Sequence, residues 1–348
     1  IGTGATGVQL ITEIAKKVAH LTVFQRTANF CAPLRNGPID DEAQREIKAS
    51  YPEIFAKCMA TAGSFMHEFD PRSAMEVSPE ERLEQYERLW AEPGFKKWLS
   101  NFYDVMMPGE ANEDYAEFFR NKIRERVHDP LVAEMLVPKD HMFGSKRLPC
   151  ESGYYEVYNQ DNVLLVDVRG APIERITPKG IQTSGAEYEL DVIIFATGYD
   201  AGTGSLTRID IRGEGGQTIK DKYAGGPRNY MGLQSVGFPN LFIMPGAGAG
   251  NFTRGCEPVV EWVADCIGYM RQNEFKHISA TPEAEEAWTE YVAEAGANLL
   301  RTKADSWFVG ANIPGKTRAL LGSPDSAPVA RAKRAQVAAN GYEGFLLR

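Results

Sequence analysis

Three glycines at the start of the chain, Gly2, Gly4 and Gly7, have the spacing of a GxGxxG turn. In such a turn the first glycine permits a tight reversal and the second lets backbone approach a pyrophosphate. The third lets a helix pack closely on a strand. The following helix then offers free N–H groups and a partial positive charge to the anion. The spacing alone is a weak signal. Here an apolar pattern at Val8, Ile11, Ile14 and Val18 follows, then a β-rich run over residues 21–27, in the order of a βαβ unit. That context favours dinucleotide binding. An NAD site places Asp or Glu at the end of the second strand, whereas an arginine there can pair with a 2′-phosphate. The chain reads Gln25-Arg26-Thr27 with no acid, which favours NADP, although Arg26 also fits a solvated charge at a strand end. Lys146 and Arg147 stand together in a short linker, and by spacing alone they read as a surface charge pair. A second glycine-rich loop at residues 246–250 is either a flexible turn or a helix N-terminus set against an anion or an electron-rich ring. His20, His67, His128, His141 and His277 show no metal-ligand spacing, and no GxSxG elbow occurs.

The elements that must position these residues alternate between strand and helix, as in an α/β protein. Residues 38–139 are acidic, aromatic and helical in pattern. Ser78-Pro79-Glu80-Glu81 starts a helix with an N-cap, a proline at its first position and a capping-box acid. Tyr115, Phe119, Ile123 and Val127 recur every four residues and line one helix face, and Asp129-Pro130 opens a further helix. Strand signals return at residues 162–167, 180–183 and 188–195. The last is so apolar that a strand covered on both faces is expected. Residues 240–244 read as another apolar strand entering the second glycine loop. The helix beyond is expected to bury Val259, Val260, Val263, Ile267 and Met270, and Thr281-Pro282 caps the next.

The formal net charge of −9 over 348 residues argues against a nucleic-acid or anionic-membrane partner. No run approaches the roughly 18 apolar residues of a membrane span, and no secretory or lipidation signal is evident. The five cysteines are scattered and include no CxxC pair, so reduced thiols and a cytoplasmic location are expected.

Several stretches together resemble the class B flavin monooxygenases of the Baeyer–Villiger type, in the branch similar to phenylacetone, steroid and cyclohexanone monooxygenases. They are Gly2-Thr-Gly-Ala-Thr-Gly7 with Phe24-Gln-Arg-Thr27; Phe143-Gly-Ser-Lys-Arg-Leu-Pro149 with Gly153-Tyr-Tyr-Glu156; Ala196-Thr-Gly-Tyr-Asp-Ala201; Gly226-Pro-Arg-Asn-Tyr-Met-Gly232; and Ser306-Trp307 with Gly310-Ala-Asn-Ile-Pro-Gly-Lys316. The resemblance implies that Arg26, Thr27 and Lys146 hold the NADP 2′-phosphate, that Arg147 is the active-site arginine beside the flavin, and that Trp307 closes over nicotinamide and substrate. It also implies FAD and NADP(H) as cofactors. The reaction it implies attacks a ketone with an O2-derived flavin C4a-peroxide to give an ester or lactone; neighbouring flavin monooxygenases oxygenate nitrogen or sulfur instead. The implied fold is α/β, with two dinucleotide-binding, Rossmann-like domains and a helical insertion. Residues 1–36 and 140–198 would form the NADP-binding domain, 37–139 the insertion, and 199–348 the C-terminal part of the FAD-binding domain.

The first FAD-binding glycine motif and the Phe-x-Gly-x-x-x-His-x-x-x-Trp fingerprint of that class do not occur in the chain, which opens at Ile1 directly in a glycine motif. It therefore reads as a fragment lacking the first FAD-binding half, with unpaired strand edges and exposed apolar faces expected as a consequence.

Overall fold

The computed structural model describes residues 1–244 and 250–348. Helix Ala5–Ile14 buries Gly7, Val8, Ile11 and Thr12, so Val8 and Ile11 of the expected apolar stripe lie inside, while Ile14 is half-buried and Val18, beyond the helix end, is exposed. It leads into strand Leu21–Gln25, which pairs in parallel with Val163–Asp167 and sets Gln25 opposite Asp167. On the other side of that strand lie Ile1 and Gly2. The Gly2 N–H donates to the Phe24 carbonyl at 3.1 Å, and the Ile1 amine donates to the Ile194 carbonyl at 2.8 Å. The Ala196 N–H in turn donates to the Ile1 carbonyl at 2.8 Å. The lateral order is thus 163–167, 21–25, 1–2 and 193–196, that of half a doubly wound sheet. The α/β expectation holds.

Residues 188–195 depart from the strand expected there. Glu187–Glu189 folds antiparallel onto Gly180–Thr183, while residues 191–196 join no ladder among the described residues and make two hydrogen bonds to Ile1. Ile193 packs toward Phe24, Val166 and Ile181, but Val192 is 72% and Phe195 61% exposed. Residues 240–244 likewise join no ladder among the described residues. Their side chains still alternate: Leu241 and Ile243 meet Ile219 and Phe238, and Phe242 meets the cluster around Val259 and Trp262.

Helix Phe252–Gln272 buries Val259, Trp262, Cys266 and Met270. Val260 and Ile267, expected inside, are 53% and 39% exposed. The buried face packs on Ile278, Val337, Tyr342 and Phe345, with the Trp262 indole N–H donating to the Arg334 carbonyl at 2.9 Å. Residues 260 and 267, seven apart, lie together on the flank. The chain forms two compact units: Ile1–Pro38 with Phe69–Gly198, and Ile39–Glu68 with Tyr199–Arg348. No helix among the described residues is long and apolar enough to cross a membrane.

The aromatic core of the first unit is built on helix Glu110–Arg126, where Tyr115, Phe119 and Ile123 are fully buried as their spacing predicts. Tyr86 and Trp90 reach it from helix Pro79–Ala91. That helix starts at Ser78, whose hydroxyl accepts from the Glu81 N–H at 3.2 Å. Ser78→Ala removes this cap and is expected to cost about 1 kcal/mol; unchanged urea unfolding would show the cap to be dispensable.

Lys97 is also wholly buried in this unit. Its ammonium donates to the Glu92 carbonyl, and its own carbonyl accepts from the Tyr115 hydroxyl at 2.8 Å. Burial pushes Lys97 down from an ordinary value of 10.5 to about 8. Between those values the unfolded chain holds more protons than the folded one, so this group's contribution to stability rises with pH. Comparing Lys97→Met with wild type by urea unfolding at pH 7 and at pH 10 should show wild type gaining ground at the higher pH. A difference that stays constant counts against a depressed Lys97.

Candidate functional site

The glycine turn is held by close backbone contacts. Gly2 has φ of +101°, and a Cβ there would lie 2.5 Å from the Ala196 carbonyl oxygen. A Cβ on Gly7 would lie 2.2 Å from the Gly2 carbonyl oxygen, whereas one on Gly4 would meet nothing within 4 Å. Gly2 and Gly7 therefore close the fold on itself, and Gly4 leaves its face open to a ligand. Gly4 is the N-cap of the ten-residue helix Ala5–Ile14, which has no side-chain cap and no acid in its first turn. Its leading N–H groups face an exposed glycine. This is the arrangement that a diphosphate requires, and the residues present fit a dinucleotide.

The end of strand Leu21–Gln25 lies alongside. The Thr3 hydroxyl donates to the Thr27 carbonyl at 2.9 Å and ties the turn to this strand end. Gln25 is buried and donates to the Met135 carbonyl at 2.7 Å, while Arg26 is exposed and Thr27 half-buried. The linker carrying Lys146 and Arg147 runs next to the same segment. Asn29 donates to the Arg147 carbonyl at 3.5 Å, and the Ala32 N–H donates to the Pro149 carbonyl at 2.9 Å. Lys146 acts on Asp140 and His141 through its charge. Burial alone would raise the Asp140 carboxyl, but hydrogen bonds from His141 and Arg169, with the charge of Lys146, hold it below the usual carboxylate range. The structure thus gathers Gly2, Gly4, Gly7, Thr27, Lys146 and Arg147 in one unit, with Arg26 on the exposed strand end.

Arg147 is exposed, its guanidinium 5.9 Å from the Phe95 ring centre. No ion pair engages it among the described residues. The cation is free to meet an incoming anion.

Trp307 belongs to the second unit. It opens the short helix Trp307–Val309 at Ser306, whose hydroxyl accepts from the Phe308 N–H at 3.3 Å, and its ring lies 4.2 Å from that of Phe308. The loop that follows is fastened to the Ala196-Thr-Gly-Tyr-Asp-Ala201 stretch. Lys316 pairs with Asp200, and Asn312 donates to the Tyr199 carbonyl at 2.9 Å. That pairing of two motif stretches joins positions more than a hundred residues apart, and no local signal announces it. A cavity of about 650 Å³ in the same unit is lined by Met231, Val259, Trp288 and Leu320, with Arg228, Arg254, Arg318, Arg331 and Arg334 as cations in its wall. It was equally invisible to local patterning, because its walls come from six or more separate segments. The second glycine loop lies outside the described residues except for Gly250.

Fold and glycine turn define a Rossmann-like α/β unit, and the chain is homologous over its whole length to the Baeyer–Villiger monooxygenases. It is 45% identical over 356 residues to 2-oxo-Delta(3)-4,5,5-trimethylcyclopentenylacetyl-CoA monooxygenase of Pseudomonas putida, covering all of this chain and 65% of that protein. It is 40% identical over 353 residues to cyclopentanone 1,2-monooxygenase of Comamonas sp. (strain NCIMB 9872), covering all of this chain and 64% of that protein. The crystal structure of OTEMO in complex with FAD and NADP superposes on all of the chain with a TM-score of 0.95 at 46% identity, and 65% of that structure is covered. The chain thus spans slightly less than two thirds of the relatives it matches. No family model matches it.

Proposed function

We propose that the protein carrying this chain is an NADPH- and FAD-dependent monooxygenase that inserts one oxygen atom of O2 beside a ketone carbonyl. The balance is ketone, O2, NADPH and a proton to ester or lactone, NADP+ and water. NADPH supplies the hydride, and FAD supplies the redox centre at which O2 is reduced.

The observation carrying this reading is the open Gly4 cradle beside strand-end residues 25–27, which include Arg26 and no acid, in a chain homologous throughout to Baeyer–Villiger monooxygenases. Gly2, Gly4 and Gly7 shape the pyrophosphate cradle, and the N-terminus of helix Ala5–Ile14 holds the charge. Arg26, Thr27 and Lys146 take the 2′-phosphate. Arg147 faces the oxygen that becomes negative as the carbonyl is attacked, because a guanidinium stays charged and presents a planar fork of donors. Trp307 covers the nicotinamide and the ketone and keeps water out. The five free thiols suit a cytosolic setting.

The test is NADPH consumption by the FAD-loaded holoenzyme with and without cyclic ketones, alongside product analysis. Ketone-stimulated consumption matched by lactone supports the proposal. Ketone-independent consumption yielding only hydrogen peroxide, or an N-oxide from a tertiary amine in place of a lactone, overturns it.

A further inference from the structure

Arg169 was not among the residues singled out by sequence, yet its position points to a role. Strands Leu21–Gln25 and Val163–Asp167 run parallel with Gln25 beside Asp167. Arg26 and Thr27 therefore leave the sheet at the same end as Arg169, at the carboxyl ends of the strands where ligands of such sheets bind. The turn is pinned by the Asp167 carboxylate, which accepts from the Arg169 N–H at 2.8 Å.

The guanidinium folds back over the strand end. One terminal nitrogen donates to the Thr27 hydroxyl at 3.1 Å, and the same nitrogen pairs with Asp140. Asp140 is fixed from its other side by His141 Nδ1 at 2.6 Å. Both recorded contacts of the guanidinium use Nη2. Among the described residues no acceptor engages Nε or Nη1, and the side chain is 53% exposed.

We propose that Arg169 is a specificity-determining residue for the adenosine 2′-phosphate, with Asp140 as the residue that positions it. This rests on the NADP reading given above. Arg169 would donate to the phosphate through its unused N–H groups while Asp140 holds the other edge of the fork. Arg26 comes from the neighbouring strand end, so the phosphate is met by two guanidinium groups that a 2′-hydroxyl cannot use. A lysine at position 169 keeps the charge but not the two-edged fork.

The experiment measures calorimetric binding of 2′,5′-ADP and of 5′-AMP to the FAD-loaded holoenzyme and to its Arg169→Ala and Arg169→Lys variants. Thermal unfolding of each variant confirms the fold. Wild type should prefer 2′,5′-ADP by tenfold or more. Arg169→Ala should lose roughly tenfold in 2′,5′-ADP affinity with 5′-AMP binding unmoved, and Arg169→Lys should fall between. If wild type prefers 2′,5′-ADP and Arg169→Ala keeps the full preference, the role of Arg169 is overturned while the NADP reading stands. If wild type shows no preference, the NADP reading itself fails and this inference falls with it. An equal loss of both ligands assigns Arg169 to shaping the turn and also overturns its role in specificity.

Discussion

Replacing Arg147 with alanine is expected to abolish ketone oxygenation in the holoenzyme while NADPH still binds. The side chain is exposed and has no carboxylate partner among the described residues, so its removal costs the fold little. Its contact with Phe95, at 5.9 Å, is a cation–π approach at a surface, a weak tether that steers the group without neutralising it. A preorganised donor facing a developing oxyanion contributes about 3 to 4 kcal/mol to the barrier, so its loss slows that step by roughly a hundredfold to a thousandfold. Arg147→Lys should recover part of the rate, since the charge returns without the planar fork. The measurements are lactone yield, NADPH affinity and thermal stability, taken together. Undiminished lactone from Arg147→Ala would remove this residue from the reaction.

The second large effect concerns what holds Arg147 and Lys146 in place. Their linker runs into Glu151, whose side chain is wholly buried. The carboxylate accepts from the Gly153 and Tyr154 N–H groups at 2.7 and 2.8 Å, and from Arg126 at 2.8 and 3.2 Å. Arg126 also pairs with Glu156 at 2.6 Å and stacks over Tyr155, 5.0 Å from the ring centre. Arg126→Met leaves Glu151 buried without a cation, which in comparable buried pairs costs about 3 to 5 kcal/mol. Adding Glu151→Gln to Arg126→Met removes the stranded charge and should restore part of the loss. Urea unfolding of the two variants checks this. A loss under about 1 kcal/mol for Arg126→Met, typical of an exposed ion pair, would mean that Glu151 is reached by water.

The two expectations differ in where they act. Arg147 is proposed to meet the reacting ketone, and Arg126 with Glu151 pairs beside the segment on which Arg147 stands. If the double substitution restores stability and also returns NADPH affinity, the buried pair is a prop only.

The amino-acid sequence by itself determined the elements whose signals are local. The glycine turn, the stripe of Tyr115, Phe119 and Ile123, and the caps at Ser78, Asp129 and Thr281 all depend on residues within one or two turns of each other, and all are present. It determined too the absence of an acid at residues 25–27, where the choice of dinucleotide is made. Tertiary structure alone decided the rest. Apolar residues 188–195 spell a covered strand, yet Glu187–Glu189 pairs antiparallel with Gly180–Thr183 and residues 191–196 join no ladder among the described residues. Which flank of helix Phe252–Gln272 faces inward was settled by its packing on Ile278, Val337, Tyr342 and Phe345. Residues 37–139 read as one helical stretch, and packing divides that stretch so that Ile39–Glu68 joins Tyr199–Arg348. Arg169 and Asp140 carry no motif; the parallel register of two strands, set by backbone hydrogen bonds between distant segments, brings Arg169 to Thr27, and Asp140 meets it there from a third segment. Local pattern specifies what an element is, and long-range pairing specifies which charges meet.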